Sequence, residues 1–177
     1  GDGEKVLIVG DFNMKDSFEG AYTNLTSAGP GQVFDPINAP GNWTNNQAFK
    51  SLHTQDPRSG SGGMDDRFDL QFASGELFVS GGLDYIPGTY RAFGNNGTHT
   101  LNGGLTGNGA SASVLDALRN ASDHIPVVVD YEFDTVAAGL TVSETDGNTI
   151  VTEAGATGSI SIALTTIPTD NVLVTLT

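Results

Sequence analysis

Lys5-Val6-Leu7-Ile8-Val9-Gly10-Asp11-Phe12-Asn13 is the stretch on which the fold turns. Its unbroken apolar run has the pattern of a central strand, covered on both faces. Where the run ends, a carboxylate and a carboxamide, Asp11 and Asn13, leave the strand together. Far along the chain, Ser122-Asp123-His124 stands at the mouth of a second apolar run, Ile125-Pro126-Val127-Val128-Val129. Pro126 suits only the entrance or edge of a strand.

Between these two runs the pattern alternates helix and strand. Asp16-Ser17-Phe18-Glu19 resembles a capping box, and Phe18, Tyr22 and Leu25 share one helical face, so a helix is predicted over residues 17–27, stopped by Gly29-Pro30. Residues 31–64 form a long connection, in which Trp43 and Phe49 argue for order. Residues 67–73 alternate strictly: Phe68, Leu70 and Phe72 face one way, Asp69 and Gln71 the other. Residues 76–80 extend or repeat that strand. Residues 81–112 read as Gly/Asn-rich loop with a strand near Thr89–Phe93. Ser113 and Asp116 suggest a second capping box, opening a short helix through Leu118 and Arg119, and residues 125–133 read as the last strand.

Composition changes after residue 134. Residues 135–139 read as a linker. Beyond it, Leu140–Glu144, Thr149–Thr152, Ser159–Thr165 and Val172–Leu176 read as strands, with Asp146-Gly147 as a hairpin turn. Four short strands are fewer than the roughly seven of a closed sandwich.

The chain has 177 residues and a net charge of −14. All 7 Lys and Arg lie before residue 135. Nucleic-acid affinity comes largely from such cations, so the chain by itself is a poor partner for a polyanion. There is no Cys, which excludes disulfides and thiolate chemistry. Neither a membrane-spanning run nor a signal-peptide pattern is present in the sequence as given.

Asp11, Asn13, Asp69, Asp123 and His124 all lie at strand ends or on a strand's polar face, where α/β sheets build their sites. A carboxylate can fix the tautomer of an imidazole, another can hold a hard cation, and a carboxamide can donate to a developing oxyanion. That set suits metal-assisted hydrolysis of a phosphate ester. Asp11 and Asn13 alone would read as helix caps; the Asp-His pair at a second strand mouth turns the reading toward catalysis.

In this order, Gly10-Asp11-Phe12-Asn13, Arg67-Phe68-Asp69 and Ser122-Asp123-His124-Ile125-Pro126-Val127 resemble the endonuclease/exonuclease/phosphatase superfamily. His53-Thr54-Gln55-Asp56-Pro57-Arg58 with Asp65-Asp66-Arg67 is similar to its large secreted bacterial members. The resemblance covers roughly residues 4–133 and corresponds to the C-terminal half of that domain. It implies an α/β fold, half of a two-sheet sandwich with outer helices. It implies that Asp11 orients or deprotonates the attacking water, Asn13 stabilises the pentacovalent state, Asp69 holds His124, His124 contacts the scissile phosphate or acts in acid/base chemistry, and Asp123 contributes to a Mg²⁺ or Mn²⁺ site. The family's other metal ligands, a Glu and an Asn, belong to the N-terminal half, so the chain alone is expected to be nearly inactive. Expected partners are that half or another copy of the chain, with a phosphodiester such as nucleic acid as substrate, no membrane, and an extracellular, bacterial-type setting.

Residues 140–177 are similar to the start of a Calx-beta or related immunoglobulin-like repeat, carried by Val142-Ser143-Glu144, Val151-Thr152-Glu153 and Ile167-Pro168. In that family acidic residues such as Glu144 can bind Ca²⁺. The rival reading is a structural, self-assembling extracellular subunit whose half-domain is completed by its neighbours. A simple binding module is a third, against which the Asp/His cluster counts. His53 and His99 read as loop histidines, Asp65-Asp66 as a solvated pair, and the Asn-x-Ser/Thr sequons, Asn120 among them, as chance matches in an Asn/Thr-rich chain.

Overall fold

The structure, a computed structural model, describes residues 3–60, 62–133, 139–144, 159–165 and 172–173. It mixes helices with small antiparallel sheets, and the chain divides into two compact units, residues 1–134 and 135–177.

In the first unit, β1 (Leu7–Asp11), β2 (Val33–Phe34) and β3 (Asp69–Ser74) form an antiparallel sheet in the order β1-β3-β2. The alternation read from sequence around β3 holds. Leu70 and Phe72 are buried against Met14, Tyr22, Val33 and Trp43, while Asp69 and Gln71 are half-buried on the other face. The expectation for β1 needs correction. Among the described residues it is an edge strand, with β3 as its single partner, and Val9 is 59% exposed. The pairing explains why: Ile8 and Gly10 oppose Phe72 and Leu70 on the core face, so Leu7 and Val9 share the other face with Asp11.

Helix α1 spans Gly20–Thr26, shorter than the predicted 17–27. Asp16 Oδ1 accepts from the Phe18 amide, and Glu19 Oε1 reaches back to the Lys15 amide. This makes a turn before the helix rather than a box on its first residue. Phe18 therefore precedes the helix and is 75% exposed, while Tyr22 and Leu25 pack on the core. The long connection is ordered, as Trp43 and Phe49 suggested. Trp43 is fully buried, and a 3₁₀ segment runs over Gln47–Leu52.

Residues 76–80 do not extend β3; Gly75–Phe78 is 3₁₀. Strands β4 (Leu83–Tyr85) and β5 (Arg91–Ala92) follow. Helix α2 covers Ala112–Ala121, so Ser113 lies inside it rather than at its cap, and Asp116 pairs with Arg119 at 3.6 Å. Its buried Leu115 joins Met64, Ala92, Leu105 and Ile125 in a second core. The predicted last strand is split in two. β6 (Val127–Val128) pairs with β5, and β7 (Tyr131–Phe133) with β4. The handover falls at Asp130, whose amide donates to Thr89 Oγ1 at 3.0 Å and whose carbonyl accepts from Ile86 at 3.1 Å.

A buried tie holds the connection to the sheet. Arg67 forks onto Asp35 at 2.8 and 2.9 Å, with its guanidinium 5.0 Å from the Trp43 ring centroid and 5.6 Å from that of Tyr90.

In the second unit, β8 (Leu140–Glu144) pairs antiparallel with β9 (Ile160–Leu164), within two of the predicted strands. Val172 and Leu173 lie outside any strand. The Asp146-Gly147 turn and the Thr149–Thr152 strand fall outside the described residues. Among the described residues no helix is long and apolar enough to cross a membrane.

Candidate functional site

The strand register brings the site together. Asp11 and Asp69 are direct partners across the β1–β3 pair. Like charges placed directly opposite each other repel. His124 arrives from the turn before β6, and its Nδ1 lies 2.7 Å from Asp69 Oδ2. One ligand atom each from Asp11, Asp69 and His124 falls within 4.8 Å of the others.

Each member is held locally. Asp11 Oδ1 accepts from the Asn13 amide at 2.8 Å, which bends the chain into a turn and leaves Oδ2 uncommitted among the described contacts. Asn13 sits at φ 50°, a left-handed conformation that Asn tolerates better than most residues. Its exposed side chain is close in sequence to Asp11 but is not one of the three clustered groups. The His124 amide donates to Ser122 Oγ at 3.1 Å, and the next amide, Ile125, donates to Thr54 O at 2.9 Å. Gln71 Nε2 donates to Val127 O at 2.9 Å, fastening the mouth of β6 to β3.

Asp123 is exposed and lies outside the three-residue cluster, yet its charge reaches His124. Burial works against protonation of His124. The Asp69 hydrogen bond and the charges of Asp69, Asp11 and Asp123 outweigh it and raise the imidazole above its usual pKa. Because a carboxylate only accepts, the neutral ring carries its proton on Nδ1, and Nε2 carries the lone pair.

Residues 53–58 form an arm whose side-chain roles the motif alone does not reveal. Thr54 Oγ1 accepts from the amides of Phe68 and Asp69, both at 3.2 Å. Gln55 Nε2 lies 2.9 Å from His124 Nε2, so the carboxamide donates to the lone pair of the neutral ring. Asp56 holds Arg58 through Nε at 3.0 Å and Nη2 at 2.8 Å. The sequence signal was the density of polar side chains between two apolar stretches; nothing in the spacing said which strand they would meet.

His53 and His99 lie in irregular segments, as read from the sequence, but not at the surface. Both are fully buried, with ring centroids 5.7 Å apart. Burial lowers His53, and burial followed by the neighbouring His53 brings His99 down to about 4. Asp65 and Asp66 are half-buried rather than solvated. Asp66 accepts from Thr44 Oγ1 at 2.6 Å, and burial, then the charge of Asp66, pushes Asp65 up to about 6.

Comparison with protein-family models, with curated proteins and with solved structures finds no match to this chain. The chemistry of the cluster therefore rests on its geometry. It offers carboxylate oxygens to a hard cation, an imidazole in a fixed tautomer, and a neighbouring carboxamide.

Proposed function

We propose that this chain carries the Asp/His part of a metal-dependent phosphodiesterase centre of the endonuclease/exonuclease/phosphatase type, in a two-sheet α/β sandwich of which residues 1–134 contribute one half. The observation that carries the reading is the convergence of Asp11, Asp69 and His124. Two carboxylates face each other across a sheet, and one of them clasps an imidazole. A purely structural sheet gains nothing from that repulsion.

The donors fit Mg²⁺ or Mn²⁺, which prefer oxygen. Asp11 Oδ2 and the carboxylate of Asp123 would hold the ion, with Asp69 Oδ1 beside them. When bound, the ion would neutralise the phosphoryl oxygens. The chain's own residues would do the rest. Asp11 orients the attacking water, and Asp69 fixes His124 so that Nε2 points away from the carboxylate. His124 moves a proton or binds a phosphoryl oxygen there, and Asn13 donates to the oxyanion. Ca²⁺ binding by the β8–β9 unit remains part of the proposal through the likeness of Glu144 to acidic Calx-beta positions. The acidic, Lys-poor composition, rich in Asn, Thr and Gly, supports an extracellular setting.

Such ions generally take about six ligands, more than these residues offer. The reading therefore expects weak Mn²⁺ binding with little turnover by the 177-residue chain, measured by calorimetry and by hydrolysis of DNA and bis-(p-nitrophenyl) phosphate. Turnover that survives His124→Ala would sink the reading.

The assembling-subunit reading is favoured by one observation, the edge of β1 that has no partner strand among the described residues, with Leu7 and Val9 exposed beside it. Such edges invite strand addition by a second copy. Light scattering at micromolar concentration tests it, and a monodisperse 18.3 kDa species would rule it out.

A further inference from the structure

A phosphodiester approaching this site meets Asp11, Asp69 and Asp123, which repel it, and one guanidinium, that of Arg58, lies within electrostatic reach of Asp123. Four of the chain's cations are committed elsewhere: Lys5 to Asp84, Arg67 to Asp35, Arg91 to Asp130 and Arg119 to Asp116. Lys50 lies by the His53–His99 pair, and Lys15 is exposed in the turn before α1, without the fork of a guanidinium. Arg58 is three residues beyond Gln55, which touches His124 Nε2 at 2.9 Å. Its charge and that of Asp123 act on one another.

Arg58 is also presented rather than loose. Its side chain is 47% exposed, while that of its holder Asp56 is 6% exposed. Asp56 takes Nε and Nη2 on one edge of the guanidinium and caps the Arg58 amide at 2.9 Å. The Pro57 carbonyl between them is pinned by the Leu105 amide at 2.9 Å. The Nη1 edge has no partner among the described contacts. A fork fixed along one edge and open along the other is preorganised to donate to a phosphoryl oxygen.

We propose that Arg58 is the substrate-anchoring residue of this centre, with Asp56 as its positioning residue, and that its open guanidinium edge takes the anionic oxygen of a phosphodiester. The inference rests on the phosphodiesterase reading and adds the residue that takes the charge of the diester. One cation, already paired with Asp56 and set among further carboxylates, suits the single charge of a diester better than the double charge of a monoester.

The test is nuclear magnetic resonance on the full 177-residue chain in Mg²⁺ buffer, titrated with dimethyl phosphate and, separately, with inorganic phosphate. The Arg58 Nε–H signal should move with dimethyl phosphate. Arg58→Ala should bind it about tenfold more weakly, as for loss of a charge-assisted hydrogen bond. Arg58→Lys should be intermediate, because it keeps the charge and loses the fork. Asp56→Asn should weaken binding while leaving the fold intact by its amide spectrum. Equal affinity in Arg58→Ala, or an unmoved Arg58 signal in the wild type, overturns the proposal. Inorganic phosphate binding tenfold tighter than dimethyl phosphate overturns the diester assignment. Mn²⁺ broadening of His124 reports separately on the phosphoesterase reading. If Arg58 responds while His124 stays sharp, the anchor stands and that reading falls. If His124 broadens while Arg58→Ala binds like wild type, the reading stands and the anchor falls.

Discussion

Asp69 Oδ2 and His124 Nδ1 lie 2.7 Å apart although the residues are 55 positions apart in sequence. The bond joins the start of β3 to the mouth of β6, and it decides which imidazole nitrogen is left for chemistry. Gln55 then reads that nitrogen from the opposite side of the ring at 2.9 Å. The ring is thus held at both ends by side chains from different segments.

The cross-strand position of Asp11 gives a prediction that separates function from stability. Asp11→Asn removes the repulsion with Asp69 but keeps an oxygen to accept from the Asn13 amide. The metal-free protein should gain roughly 0.2–1 kcal/mol in urea unfolding. The same substitution should weaken Mn²⁺ binding. A destabilised Asp11→Asn with unchanged Mn²⁺ affinity would show that the pair is structural.

The histidines should give stability two opposite pH limbs. His124 is raised, so its contribution is complete below its unfolded value of 6.5 and is lost as pH climbs through its folded value. His99 is lowered to about 4, so the fold loses stability as pH falls from 6.5 toward 4 and loses no more from this group below that. The acid limb is on the order of 3 kcal/mol, at about 1.4 kcal/mol per pKa unit. Thermal melts across this range should show His124→Gln flattening the alkaline side and His99→Gln the acid side. Superimposable pH profiles for all three proteins would contradict this.

Asp35→Ala should be among the costliest single changes. It leaves the fully buried Arg67 guanidinium without its carboxylate, between the Trp43 and Tyr90 rings. Loss of one partner of a buried pair costs about 3–5 kcal/mol. Trp43 is the only tryptophan and is fully buried, so its fluorescence reports the transition directly. A loss below about 1 kcal/mol would place the pair among weak surface contacts.

Much of this was legible in the chain. The period-two alternation of residues 67–73 gave β3 and put Asp69 on its polar face, because a strand's geometry admits one reading of that pattern. The apolar run before Asp11 gave a strand but not its neighbours. Periodicity measures how apolar a segment is and says nothing of which strand pairs with it, so the edge position of β1 was missed. Phe18 was placed on a helix face because spacing alone cannot show that Asp16 and Glu19 spend their side chains on a turn first. The same limit hid Gln55 and the His53–His99 pair. Their positions depend on how a long irregular connection folds back on the sheet, and no local pattern records that. Arg67, quoted with Asp69 in one motif, proved to be a buried structural tie, while Asp69, two residues on, faces the site.

The central claim is that Asp11, Asp69, Asp123 and His124 form a divalent-cation centre, and paramagnetic broadening by Mn²⁺ tests it most directly. The chain has 3 histidines, two of them fully buried, so the His124 ring signals are readily told apart. Substoichiometric Mn²⁺ should broaden the His124 ring and the amides around Asp11, Asp69 and Asp123 before any other signals, and Asp11→Asn should weaken the effect. Broadening spread evenly over the acidic surface, with His124 still sharp, would contradict the account.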